Sequence, residues 1–116
     1  MEVFCIMKMA NNDKVPELTN GEFDEFIKKD VAFVDFFAEW CMPCLMMSPI
    51  IDELNEKFKG KIKFGKVNVD DNKQIAQKFN IMSIPNMIVF KNGKQVEQFI
   101  GAIGQEELET KLKKLM

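Results

Sequence analysis

Apolar residues recur along the chain with two periods, and the alternation between them outlines the architecture. "VAFVDFFA", Val31 to Ala38, is apolar at positions of both parities, the mark of a strand covered on both faces at the centre of a sheet. Ahead of it, Thr19 and Glu22 form a capping-box pair, and Phe23, Phe26 and Ile27 follow at helical spacing. A short strand over Val15–Leu18 precedes that helix, with Pro16 restricting it to a sheet edge or a strand start. From Met42, the spacing of Leu45, Met46, Ile50, Leu54 and Phe58 predicts a long helix. Pro43 falls in its first turn, where a missing N–H costs nothing, and Pro49 is expected to kink it. "KIKFGKVNVD" (Lys61–Asp70) reads as a strand and "NKQIAQKFN" (Asn72–Asn80) as a helix. "NMIVFK" and "KQVEQFI" flank Asn92-Gly93, a two-residue hairpin signal. Gly101 and Gly104 end the second of these strands, and Glu106–Met116 closes the chain as a helix with Leu108, Leu112 and Leu115 on one face.

The order βαβαβαββα predicts an α/β fold of three αβα layers, with a mixed five-stranded sheet flanked by four helices, parallel first and antiparallel at one edge. Residues 1–12 read as an N-terminal extension, because apolar "VFCIM" gives way to polar "NNDK", and residues 13–116 as one domain.

Composition narrows the chemistry. At 47% hydrophobic and 29% charged residues, the chain is globular in character, and a net charge of -2 provides no footprint for nucleic acid or an anionic membrane. Val3–Met7 is far too short for a signal-peptide core or a membrane span, which points to a cytoplasmic protein, expected to be monomeric. The absence of histidine removes Cys-His catalysis, imidazole bases and the commonest zinc ligand together. All sixteen cations are lysine, so arginine clamps for phosphate are missing as well. Chemistry must rest on cysteine, carboxylate, lysine or backbone.

Three cysteines in a reducing compartment do not form a disulfide framework, and Cys5 is the odd one out. In "WCMPC" the pair Cys41 and Cys44 is open to several readings. Zinc would need two further ligands from Cys5 and carboxylates, an unusual structural set. Copper(I) would draw on Met42, Met46 and Met47, although methionines at helical spacing read more simply as core filling. A redox pair has a positive mechanism. Cys41 falls at the end of a strand-to-helix turn, where free N–H groups and the helix dipole favour a thiolate, and Cys44 lies one turn on and on the same side, able to resolve a mixed disulfide formed at Cys41.

Several motifs taken together are more specific. "VDFFAEWCMPC", "SIPNMIVFKNGK" and "IGAIGQEEL" stand in the order and at the spacings of the thioredoxin family, and from about Val15 to the C-terminus the chain resembles that family. The resemblance implies the thioredoxin fold, a catalytic Cys41–Cys44 disulfide, a cis peptide before Pro85, and a substrate groove lined by Trp40, Ile84, Pro85, Gly101 and Ala102, with Met42 and Pro43 at its helical side. It further implies a protein-disulfide reductase without bound cofactor or metal, acting on disulfide-containing proteins and re-reduced by a thioredoxin-reductase-like donor. Alternatives are a disulfide oxidase or isomerase of the same fold, or a peptide-binding, chaperone-like module using the apolar groove. The chain departs from the family in having Met42 where glycine is usual, Leu45 where a basic residue is frequent, Phe37 for a tryptophan and Asn86 for a threonine.

Asp35 is the one acid in "VAFVDFFA". With both sheet faces covered it is buried whichever way the strand turns, and desolvation should raise its pKa, less whatever Lys66 on the next strand recovers. The plain alternative is a structural Asp35–Lys66 ion pair. The resemblance implies that Asp35 exchanges a proton with Cys44, and Asp35 and Lys66 accordingly join the cysteines as candidate catalytic residues.

Overall fold

A computed structural model describes residues 15–116 of the chain. The suggested extension 1–12 and Cys5 lie outside the described residues. The elements are α1 (Asn20–Ile27), β1 (Val31–Phe37), α2 (Met42–Lys57), β2 (Ile62–Asn68), α3 (Lys73–Lys78), β3 (Asn86–Lys91), β4 (Lys94–Ile100) and α4 (Gln105–Leu115).

Local chemistry accounts for their limits. At the start of α1 the Glu22 carboxylate accepts from the Thr19 N–H at 3.0 Å and the Thr19 hydroxyl at 3.2 Å. Asn92 and Gly93 take φ values of 52° and 87°, the paired left-handed conformations of a tight hairpin between β3 and β4. α2 runs through Pro49 to Lys57.

The sheet order is β2-β1-β3-β4, with β1 parallel to β2 and antiparallel to β3. β1 is therefore paired on both sides, as its unbroken apolar run predicts. The antiparallel pairing reaches inward as far as β1 and is not confined to an edge hairpin.

The fifth strand is a correction. Among the described residues the sheet has four strands, and the expected strand at Val15–Leu18 is reduced to a single parallel bridge between Glu17 and Lys66. The Leu18 N–H donates to the Lys66 carbonyl at 2.7 Å and the Lys66 N–H to the Pro16 carbonyl at 2.9 Å. The next rung toward the N-terminus would need a proton on the nitrogen of Pro16, which has none.

Alternation along β1 sorts the core into two layers. Phe33 packs with Met47, Ile51 and Leu54 of α2 and with Leu108 and Leu112 of α4. Ala32, Val34 and Phe36 point the other way, toward Phe23 and Ile27 of α1 and Ile75 of α3. Burying each large side chain contributes roughly 1.5–3 kcal/mol, so two such clusters clamp β1 firmly between helix layers. Asp35 shares the parity of Phe33 and thus faces α2, the helix that Cys41 caps and that contains Cys44.

Candidate active site

Cys41 ends the turn from β1 and is the N-cap of α2, with extended backbone at φ -91° and ψ 107°. Its sulfur accepts a hydrogen bond from the Cys44 N–H at 3.2 Å, taking up one of the amides that the helix start leaves without a backbone partner. A thiolate at this place would gain from the same N–H and from the helix dipole. Cys41 and Cys44 are joined as a disulfide with their Cα atoms 5.3 Å apart, so the structure shows the oxidised state. Both are buried, against Ala38, Phe37, Val69 and Ile84.

The loop before β3 meets them. Cys41 Sγ lies 3.8 Å from the Ile84 carbonyl oxygen, and the Ile84–Pro85 peptide is cis. The Pro85 carbonyl accepts from the Gly101 N–H at 2.8 Å, and Gly101 has φ 91°, where any other residue would be strained. Cys41, Ile84, Pro85 and Gly101 are thereby linked by contacts, and exposed Ala102 follows directly.

Exposed Met42 and Pro43 open α2 beside the disulfide. The expectation of methionine core filling holds for Met47 alone: Met42 and Met46 are 65% and 67% exposed. The buried positions of α2 are Cys44, Met47, Ile51 and Leu54, spaced by three or four, which turns Met42 and Met46 outward.

Trp40 is 69% exposed, and its Nε1 donates to Asp70 Oδ2 at 2.9 Å. Asp70 is held in turn by Asn68, whose Oδ1 accepts from the N–H groups of Asp70 at 2.9 Å and Asp71 at 3.3 Å. The sequence reading missed Asn68 and Asp70. The available signals were the Asx-turn pattern "NVDDN" and an indole N–H in need of an acceptor. Asn86, in place of threonine, is buried and its Oδ1 accepts from Gln98 Nε2 of β4 at 2.9 Å.

Behind the disulfide, Asp35 is 3% exposed and Oδ1 has no hydrogen-bond partner among the described residues. Burial raises its pKa from 3.8 to about 7, and the charge of Lys66, its cross-strand neighbour on β2, offsets part of that rise. Lys66 acts through charge, since its ammonium sits over the Phe37 ring at 5.5 Å from the centroid. A cavity of about 190 Å³ adjoins Asp35, Lys66 and Cys44, with Leu45 also on its wall. The acid and Cys44 therefore adjoin one space.

Residues 14–114 match the family model for thioredoxin. The chain is 41% identical to thioredoxin 1 of Nostoc sp. over 100 residues, 84% of this chain and 94% of that protein. It is 38% identical over 105 residues to the chloroplastic thioredoxin M4 of Arabidopsis thaliana, covering 89% of this chain and 54% of that protein. Its fold is similar to that of a mutant thioredoxin from Halobacterium salinarum, with a TM-score of 0.79, 28% identity and coverage of 87% of this chain and 90% of that one. Sequence, fold and a cysteine pair poised at a helix start agree: the chain belongs to the thioredoxin family, and it is a thiol-disulfide oxidoreductase that reduces protein disulfides through the reversible Cys41–Cys44 couple.

Proposed function

We propose that Cys41 is the attacking thiol, Cys44 the resolving thiol, Asp35 the group that exchanges a proton with Cys44, and Lys66 the charge that tunes Asp35. In the first step the Cys41 thiolate attacks a substrate disulfide. A bond forms from Cys41 Sγ to one substrate sulfur, the substrate S–S bond breaks, and the other sulfur leaves as a thiolate that takes up a proton. In the second, Cys44 gives its proton toward Asp35 and attacks Cys41 Sγ. The internal disulfide forms, the mixed disulfide breaks, and the second substrate thiolate departs. Substrate gains two electrons, and an external reductase of the thioredoxin-reductase type restores the dithiol.

The observation that carries this reading is the asymmetry of the pair: the Cys41 sulfur holds a helix-start amide, whereas Cys44 lies inward beside the cavity that it shares with Asp35. Trp40, Met42 and Pro43 form one side of the substrate groove, and Ile84, Pro85, Gly101 and Ala102 the other. Both thiols, the acid and the loop come from one chain, so the reaction needs no second copy, and we take the monomer as the acting form. Residues 13–116 are the catalytic domain, with 1–12 an extension. No helix among the described residues is long and apolar enough to cross a membrane, and we place the protein in the cytoplasm, where a dithiol reductant is kept reduced.

Brief alkylation of the reduced protein near neutral pH, followed by peptide mapping, should label Cys41 well ahead of Cys44. Equal labelling of the two would remove the assignment. Equilibration against a redox buffer decides between reductant and oxidant: the couple should fall near about -270 mV, the value general to thioredoxins, and a result near about -120 mV would make it an oxidase.

A further inference from the structure

One wall of the cavity behind the disulfide carries a residue that the reaction has not yet used. Ser48 lies four positions beyond Cys44 on α2, hence on the same helix face, and lines the cavity together with Asp35 and Cys44. Helical Ser and Thr hydroxyls commonly bond back to the carbonyl four residues earlier. Thr110 does so, donating to the Glu106 carbonyl at 2.9 Å. The Ser48 hydroxyl has no hydrogen-bond partner among the described residues. Ser48 and Asp35, neither Ser48 Oγ nor Asp35 Oδ1 having a partner among the described residues, thus line one space beside Cys44. At about 190 Å³, that space has room for several water molecules of about 30 Å³ each.

We propose that Ser48 is a positioning residue for the resolving step, its hydroxyl holding the water through which the proton passes between Cys44 and Asp35. The inference rests on Asp35 being the proton partner of Cys44. During resolution the Cys44 S–H donates into the water, the water passes a proton to the Asp35 carboxylate, and the resulting Cys44 thiolate displaces the substrate sulfur from Cys41. The proton is returned to solvent when Asp35 ionises again. The other charged groups facing the cavity are Lys66 of β2, Asp52 of α2 and Glu17 from the segment before α1. Of these, Lys66 favours the ionised form of Asp35 that accepts the proton.

The test is stopped-flow mixing of the reduced full chain with an aromatic disulfide whose thiolate product is coloured, all variants carrying Cys5→Ser so that both releases come from the pair. The first release depends on disulfide concentration and reports attack by Cys41. The second is independent of it and reports resolution by Cys44. Ser48→Ala should slow the second release about fivefold at neutral pH and leave the first unchanged, a fraction of what a positioned acid-base group contributes. The pH of half-maximal second release should also move upward, toward that of an unassisted thiol at about 8.5. Ser48→Thr, which keeps the hydroxyl, should restore both. In an Asp35→Asn background Ser48→Ala should add nothing further, because the two groups serve one relay. A wild-type second phase and pH profile in Ser48→Ala would overturn the proposal, as would equal slowing of both phases or failure of the threonine to rescue. If Asp35→Asn slows resolution while Ser48→Ala does not, only the role of Ser48 falls. If Asp35→Asn leaves resolution unchanged, the proton role of Asp35 falls and that of Ser48 with it.

Discussion

Asp35→Asn should make the protein more stable at neutral pH and less active. The sign follows from proton counts. In the folded protein Asp35 holds its proton up to about pH 7, whereas an ordinary aspartate releases it above 3.8. Between those values the unfolded chain binds fewer protons, so stability falls as pH rises, and the cost is complete once the folded pKa has been passed. A rise from 3.8 to about 7 corresponds to up to about 4 kcal/mol, an upper bound because the asparagine amide must itself find partners at a 3% exposed position. Denaturant melts of wild type and variant should therefore nearly coincide below about pH 4, diverge through pH 7 and run parallel above it. Turnover of a model disulfide should drop about tenfold, less than the hundredfold or more typical of a base in direct contact, because the Cys44 proton can still be lost to bulk buffer. Greater stability with lower activity is what a residue kept for function at a cost to the fold produces. A variant less stable at pH 7 and equally active would show that Asp35 is half of a structural ion pair with Lys66.

The second large effect separates the cysteines. Cys44→Ser keeps the thiol proposed to attack and removes the one proposed to resolve the mixed disulfide in the second step, so covalent adducts between Cys41 and substrate proteins should accumulate as bands on non-reducing gels and vanish on reduction. Cys41→Ser should form no such adducts, and its turnover should fall to the uncatalysed level. The reason lies in their places on α2. Cys41 is the N-cap and its sulfur holds the Cys44 amide, whereas Cys44 is inside the first turn, next to the cavity. If Cys41→Ser trapped as many adducts as Cys44→Ser, the order of attack would be reversed.

Trp40 and Asp70 show how far a linear reading reaches. The tryptophan beside the cysteines stood out as a candidate site residue, but its partner lies thirty positions away in the turn after β2, and only folding brings the 2.9 Å hydrogen bond about. The methionines of "CMPCLMMSP" illustrate the same limit. Their spacing alone suggested core filling, and the rotation of α2 against the sheet assigned Met47 to the core and left Met42 and Met46 outside. Pro16 was legible as a limit on the first strand. That it cuts the pairing to a single bridge depended on where β2 offers its donors and acceptors.

By itself the sequence determined what local chemistry dictates. The hairpin at Asn92-Gly93 needs two left-handed residues, the covered strand around Asp35 needs apolar neighbours of both parities, and Cys41, two residues before Pro43, sits at a helix start. Each of these is decided within a few residues by allowed backbone angles, period and missing donors. Tertiary structure alone decided the contacts between segments far apart in the chain: Ile84 beside Cys41, Gly101 bonded to Pro85, and the cavity that Asp35 of β1 shares with Cys44 and Ser48 of α2 and Lys66 of β2. A cavity and a shifted pKa are properties of the space left between packed elements, and no single stretch of chain encodes that space.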